Sequence, residues 1–180
     1  MASIIFLHGA SSSGKSTIAR ALQQSIKEPF WHISIDHLRD SGVLPTAGYK
    51  NGAFDWKADR AKVFDGFHAS LAAYADAGNN LIIEHILDTP KWADDLRSLL
   101  AQHDILFVAV HCPLALLVER ERLRGDRELG SAARDHSLIH DGRVYDIEID
   151  SAEGVEANVQ SILQAWRGDT RRSEFGRNAE

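Results

Sequence analysis

The chain has 180 residues, a length that fits one domain with a substantial hydrophobic core. Its formal net charge of −6 at pH 7 argues against a general nucleic-acid binder, because such proteins need a basic surface to face the phosphates. The single cysteine, Cys112, cannot form an internal disulfide, and no apolar run reaches the length of a membrane span. We therefore expect a cytoplasmic protein with no nucleic-acid or membrane partner.

A phosphate-binding motif follows the first predicted strand. Residues 3–8 form an apolar run, and Ile18, Leu22 and Ile26 recur later at helical spacing. Between them stands a Gly-x-x-x-x-Gly-Lys-Ser motif with one further residue, formed by Gly9, Ala10, Ser11, Ser12, Ser13, Gly14, Lys15, Ser16 and Thr17. The glycines let successive N–H groups turn inward around an anion, and the following helix presents its positive end.

The motif predicts that residues 9–17 bind ATP and Mg²⁺. Lys15 can reach the β- and γ-phosphates, and the hydroxyl of Ser16 can ligate the magnesium ion. The alternative is a serine-rich turn that happens to precede a helix.

Strands and helices alternate after this motif. Apolar runs predict strands at 30–36, 81–84, 105–111 and 144–149, and helical periodicity predicts helices at about 55–77 and from residues 90, 113 and 151. Turn-forming residues predict an irregular loop at 40–55. The pattern predicts an α/β fold, a three-layer P-loop NTPase like the nucleoside-monophosphate kinases, with a five-stranded parallel sheet. We expect one kinase domain over 1–167 and a flexible tail over 168–180.

Two acids stand at predicted strand ends, where such sheets bind their ligands. Asp36 suits a catalytic base that accepts the proton of an acceptor hydroxyl, and its alternative role is to cap the helix that begins at His37. Glu84 could hold magnesium through water, bind the substrate or support Lys15. His85, beside it, could face the substrate.

A cluster of arginines lies beyond the fourth strand. Arg120, Arg124 and Arg127 surround a helix-breaking glycine and predict a lid over about 120–135. We expect Arg120 and Arg124 to bind the nucleotide, and Arg124 and Arg127 to act on the migrating phosphate, whereas Arg122 is expected to be solvated. The alternative is a solvated helix face whose arginines pair with neighbouring glutamates.

Several segments together resemble the chloramphenicol phosphotransferase family over most of residues 3–166. The most specific segments are Arg120-Glu121-x-x-Arg124-Gly125-Asp126-Arg127 and His140-x-Gly142-x-x-Tyr145-Asp146-x-x-x-Asp150. The resemblance implies an ATP- and magnesium-dependent O-phosphotransferase that acts on a small molecule. It implies that Asp36 is the base and that Arg124 and Arg127 engage the nucleotide.

The resemblance specifies the reaction more closely than the acceptor molecule, because residues 40–58 and the pair Glu84-His85 differ from the family pattern. Aromatic and apolar residues of the loop favour a partly apolar acceptor, chloramphenicol-like or a related metabolite; they are Leu44, Tyr49, Phe54 and Trp56. The alternatives are a kinase of a sugar, a nucleotide or a nucleotide sugar, and a nucleotide-sensing switch without an acceptor.

Overall fold

The computed structural model describes residues 1–124, 130, 136 and 138–176. Five parallel strands form one sheet in the order β2-β3-β1-β4-β5. In chain order they are β1 (Ser3–His8), β2 (Phe30–Ser34), β3 (Asn80–His85), β4 (Asp104–His111) and β5 (Ile147–Asp150). The predicted five-stranded parallel sheet is confirmed.

Helices cover both faces of this sheet and make it a three-layer structure. The helices of the described residues are α1 (Lys15–Ser25), α2 (Ile35–Asp40), α3 (Thr46–Lys50), α4 (Trp56–Asp76), α5 (Pro90–Leu100), α6 (Leu114–Arg124) and α7 (Val155–Arg167). Helices α1 and α7 cover one face of the sheet, and α4 and α5 cover the other. No helix in these described parts of the chain is long and apolar enough to cross a membrane.

The central strand β1 is apolar from Ile4 to Leu7 because both of its faces are buried. Side chains alternate between the two faces of a strand. Ile4 and Phe6 pack in the cluster that α4 and α5 cover, whereas Ile5 and Leu7 pack in the cluster that α1 and α7 cover. A strand buried on both faces needs apolar residues at odd and even positions alike.

The boundary after β2 differs from the sequence prediction. The strand was predicted to continue to Asp36, but it ends at Ser34, and α2 begins at Ile35. The Oγ of Ser34 accepts a hydrogen bond from the backbone N–H of His37 at 3.3 Å. Serine is a favoured N-cap because its side chain satisfies an N–H of the first turn, and this local bond starts the helix two residues early.

Two further boundaries also differ. β5 begins at Ile147 rather than at residue 144. Just before it, the carboxylate of Asp146 accepts a hydrogen bond from the backbone N–H of Phe107 at 2.8 Å, so a side chain replaces a backbone partner there. The short helix α3 lies inside the loop predicted to be irregular.

The expected flexible tail is ordered through Gly176. Phe175 is 6% exposed, and its ring lies 4.6 Å from that of Phe107. The carboxylate of Asp146 accepts hydrogen bonds from the N–H groups of Arg172 and Ser173 at 2.6 and 2.9 Å. A polar composition suggested fraying, but one aromatic side chain and the half-buried Asp146 attach this segment to the sheet. Residues 177–180 lie outside the described chain.

Candidate active site

The phosphate-binding loop lies where β1 ends and α1 begins, at the carboxyl edge of the sheet. Two of its positions require glycine, for different reasons. Gly14 has a φ of 100°, which side chains disfavour, and at Gly9 a Cβ would lie only 2.5 Å from the carbonyl oxygen of Val110. Ser12, with a φ of 64°, also adopts the left-handed conformation. These angles curl the loop in the way that an anion-binding cradle requires.

Lys15 lies against this loop. Its Nζ donates hydrogen bonds to the carbonyl oxygens of Gly9 and Ala10, both at 2.7 Å, and the side chain is largely buried. The ammonium group is therefore held at the loop itself, within reach of whatever anion the loop binds.

Ser16 and Glu84 are in direct contact. Ser16 Oγ donates to Glu84 Oε2 at 2.8 Å, and the other carboxylate oxygen is paired with His32 Nε2. Burial alone would raise the pKa of Glu84, but these two hydrogen bonds and the charge of Lys15 more than offset it, so the pKa is lowered. Glu84 is therefore ionised near neutral pH. A hydroxyl and a carboxylate are the hard oxygen ligands that Mg²⁺ prefers, so the donor set fits this ion.

Strand register explains how this contact arises. β3 lies between β1 and β2, and Glu84 is opposite Leu7 on one side and Ser34 on the other. Its side chain points to the face of the sheet that α1 covers, as does that of Leu7. His85, the next residue, points to the opposite face, where it contacts α4.

Asp36 lies in the first turn of α2 and lines the same cavity as the phosphate-binding loop. Its Oδ1 is 3.1 Å from Arg39 Nη1, and its side chain is 34% exposed. The alternative that Asp36 caps the helix is wrong, because Ser34 is the N-cap. Its role as a base stays a prediction.

The cavity has a volume of about 920 Å³, within the usual range for small-molecule sites. One end contains the loop from Ser11 to Thr17 and Arg120. The other end is aromatic and is lined by Tyr49, Trp56, Phe64 and Trp92. Of the four loop residues named from the sequence, Leu44, Tyr49 and Trp56 line the cavity, whereas the half-exposed Phe54 is not among its lining residues. Their contact with an acceptor stays a prediction.

A pair of buried histidines supports the aromatic end. His68 Nε2 and His85 Nε2 are 2.8 Å apart, and burial lowers the pKa of both residues. Both rings are therefore neutral near pH 7, so one donates a hydrogen bond and the other accepts it. His85 lines the cavity, and its predicted role of facing the substrate stays a prediction. The sequence analysis missed His68, whose only signal is its position four residues after Phe64 on the apolar stripe of α4.

Arg120 contacts the phosphate-binding loop from the outside. Its Nη1 donates to the carbonyl oxygens of Ser12 and Ser13, both at 3.4 Å, and to Ser151 Oγ at 3.3 Å. This position is compatible with its predicted role in nucleotide binding. Arg122 is exposed, as expected.

Two further arginines of the predicted lid are Arg124 and Arg127. Arg124 is the last residue of α6, and Arg127 and most of the predicted lid over 120–135 lie outside the described residues. The roles assigned to Arg124 and Arg127 stay predictions.

The family described as chloramphenicol phosphotransferase-like proteins matches residues 2–167. The chain belongs to this family. It is therefore an enzyme that transfers phosphate to a hydroxyl group, and the resemblance predicted from the sequence is confirmed.

Relatives and solved structures agree with this assignment. A Mycobacterium tuberculosis protein with the name "Putative O-phosphotransferase" is 27% identical over 169 residues, which cover 82% of this chain and 74% of that protein. A gluconokinase from Sinorhizobium meliloti is 21% identical, with a TM-score of 0.64, over 92% of this chain and 91% of its own. A shikimate kinase from Aquifex aeolicus is 20% identical, with a TM-score of 0.62, over 92% of this chain and 97% of its own. These structures share the P-loop kinase fold.

Proposed function

We propose that this member of the family transfers the γ-phosphate of ATP, with Mg²⁺, to a hydroxyl of a small molecule with an aromatic or apolar body. The observation that carries the proposal is one continuous cavity with two chemically different ends. The phosphate-binding loop and Asp36 line it together with an aromatic wall. A phosphate donor and an apolar acceptor can therefore meet beside a carboxylate.

The loop end suits the triphosphate. Backbone N–H groups of the loop and the N-terminus of α1 face the phosphates, and Lys15 exchanges its contacts with loop carbonyls for phosphate oxygens. Ser16 and Glu84 would hold the magnesium ion, Ser16 directly and Glu84 through water or by orienting the hydroxyl. The ion supplies positive charge that stabilises the transferred phosphoryl group.

Asp36 carries the proton transfer in this proposal. Its carboxylate accepts the proton of the acceptor hydroxyl while the hydroxyl oxygen forms a bond to the γ-phosphorus. The bond between that phosphorus and the oxygen bridging to the β-phosphate breaks, and ADP leaves. Arg39, at 3.1 Å from Asp36, holds the carboxylate in place.

The aromatic end decides the class of acceptor. Tyr49 and Trp56 line this end with ring centroids 5.2 Å apart, and such aromatic surfaces bind flat apolar groups well. The more buried Phe64 and Trp92 stack behind them, with the guanidinium of Arg60 over both rings. The charge of Arg39 is balanced by Asp36 and Asp40, so it is not a dedicated site for a phosphorylated acceptor. These features favour an aromatic alcohol, the class that includes chloramphenicol, over a sugar phosphate. With such an acceptor, antibiotic resistance is the biological role we propose.

The direct test measures ATP consumption and product mass for purified protein with Mg²⁺. The acceptor panel contains chloramphenicol and other aromatic alcohols, free sugars, nucleosides and nucleotide sugars. We expect turnover with aromatic alcohols, with Lys15→Ala as the inactive control. Turnover only with a sugar or a nucleotide sugar would replace the acceptor class, and normal ATP binding without any turnover would overturn the proposal.

A further inference from the structure

Three potential metal ligands lie together beside the phosphate-binding loop. One ligand atom each of His32, His37 and Glu84 lies within 4.8 Å of the others. His32 Nε2 is already paired with Glu84 Oε1, and the two imidazole rings are perpendicular, with centroids 4.6 Å apart.

The backbone holds these three residues at fixed positions. In the register of β2 and β3, His32 is opposite Ile82, so Glu84 is its diagonal neighbour on the same face. Ser34 caps α2 through the N–H of His37, and this bond turns the chain so that His37 returns towards His32. A strand pair and the capped first turn of α2 therefore supply the ligands.

The ligand chemistry selects the kind of ion. Two imidazoles and one carboxylate match the three protein ligands of open zinc sites, whereas Mg²⁺ prefers oxygen ligands alone. Ligands around one zinc ion lie about 3.3 Å apart, given metal–ligand distances near 2.0 Å. The exposed side chain of His37 can close the remaining gap by rotating.

We propose that His32, His37 and Glu84 form a binding site for a zinc-type divalent cation, separate from the magnesium position at Ser16. His37 and Glu84 line the cavity. A fourth coordination position would therefore open towards the cavity, where water or an oxygen of a substrate can fill it.

The two cation positions share one carboxylate. Glu84 accepts a hydrogen bond from Ser16 on one oxygen and pairs with His32 through the other. A second dication at this carboxylate repels Mg²⁺ at Ser16, and linkage makes the effect reciprocal. We therefore expect Zn²⁺ and Mg²⁺·ATP to weaken each other's binding, a consequence that rests on the proposed function.

Cobalt titration tests the site without nucleotide or activity. Co²⁺ replaces Zn²⁺ in histidine sites and gives visible absorption bands when imidazole ligands bind it. We expect one Co²⁺ per chain, displaced by Zn²⁺, and an affinity weakened at least about tenfold in His37→Gln and in His32→Gln. Gln at position 32 can still donate to Glu84, and His37 is exposed, so both variants should keep the fold, which a melting curve checks.

His111→Gln is the matched control, because His111 is also a partly exposed histidine paired with a carboxylate, Glu148, at 2.6 Å. It should leave the Co²⁺ affinity unchanged. Absence of a stoichiometric Co²⁺ spectrum, or equal loss in His111→Gln and His37→Gln, would overturn the site. Repeating the titration with Mg²⁺ and a non-hydrolysable ATP analogue tests the coupling, which an unchanged Co²⁺ affinity would overturn.

Discussion

Glu84 connects the parts of the site that a linear sequence separates. It is 6% exposed, yet its carboxylate contacts Ser16 at the start of α1 and His32 on β2. A buried carboxylate without partners would be destabilising, and the two hydrogen bonds remove that cost. Its neighbour His85 points to the other face of the sheet, where it contacts His68 of α4. Two adjacent residues therefore have partners on opposite faces of the sheet.

Asp36→Asn tests the proposed base. The variant keeps the size of the side chain but cannot take a proton, so we expect kcat to fall about 10²- to 10⁴-fold. The affinity for ATP, measured by calorimetry, should stay near the wild-type value because Asp36 belongs to the acceptor side in the proposal. The matched control is Asp40→Asn, which removes the other acid paired with Arg39.

Kinetics and melting temperatures of the two variants distinguish a catalytic role of Asp36 from a structural one. Asp40→Asn should keep most of the wild-type kcat. An Asp36→Asn enzyme with near-normal kcat and a lowered melting temperature would contradict the base role and indicate a structural role instead.

The short helix α2 positions both Asp36 and His37, although it has only six residues. Helices of this length are not stable on their own, so their start depends on capping and tertiary contacts. Ser34, which is 5% exposed, supplies the cap from the last residue of β2. One hydroxyl therefore links the end of a strand to the geometry of the proposed base.

Ser34→Ala should destabilise the protein by about 1 kcal/mol, the usual effect of losing an N-cap. We also expect kcat to fall, because the first turn that carries Asp36 is less well held. Chemical denaturation and steady-state kinetics measure the two effects. Ser41→Ala, at the other end of α2, is the control and should change neither quantity, whereas an unaltered Ser34→Ala enzyme would contradict the positioning argument.

The segment after α7 contributes to the core of the whole domain. Phe175 joins the cluster that contains Phe6 and Phe107, and Arg171 reaches Asp104 at 3.1 Å. The segment after α7 therefore packs near the amino-terminal half of β4, to which residues 104 and 107 belong, whereas the cavity lies at the carboxyl ends of the strands.

Phe175→Ala should lower the free energy of unfolding by about 3–5 kcal/mol, the usual range for removing a buried phenylalanine. Urea denaturation measures this loss. The control is Phe54→Ala, because Phe54 is half exposed and should contribute much less. Equal, small effects in both variants would show that residues 168–176 do not belong to the folded core.

Buried histidines make the stability of the domain depend on pH. Burial lowers the pKa of His8 to about 3, and burial together with the charge of His111 lowers that of His140 to about 4. The titratable groups that face His140 are His8, Lys15, His111, His136, Tyr145 and Glu148. Unfolded histidine has a pKa near 6.5, so the unfolded state takes up protons first as the pH falls.

The contribution of the two histidines to stability is therefore fully present above about pH 6.5, and it is lost as the pH falls towards about 4 for His140 and about 3 for His8. We expect the melting temperature to decrease over this interval. His140→Gln should show a smaller decrease because Gln does not titrate, whereas His136→Gln, at an exposed position, should match the wild type. Identical pH profiles for His140→Gln and the wild type would contradict this assignment.

Elements with local signals were predictable. The glycines of the phosphate-binding loop, the apolar run of β1 and the helical stripe of α4 are each encoded within a few residues, and the structure has them where the pattern indicated. The start of α2 was predicted two residues late because the hydroxyl of Ser34 competes with the strand ladder. The ordered segment at Phe175 was not predicted, since a single aromatic residue in a polar stretch has no periodicity.

The local pattern of residues therefore established a parallel α/β sheet, a phosphate-binding loop and an acid after β2, because backbone geometry and hydrophobic burial act over short stretches of chain. The contacts among Ser16, His32 and Glu84 join residues that are 52 and 68 positions apart. They arise because the sheet places β3 between β1 and β2, an order that no periodicity specifies. The same order places Ser16 beside Glu84, whereas His85, on the opposite face, contacts His68 of α4, so tertiary structure alone decided which partner each of these adjacent residues has.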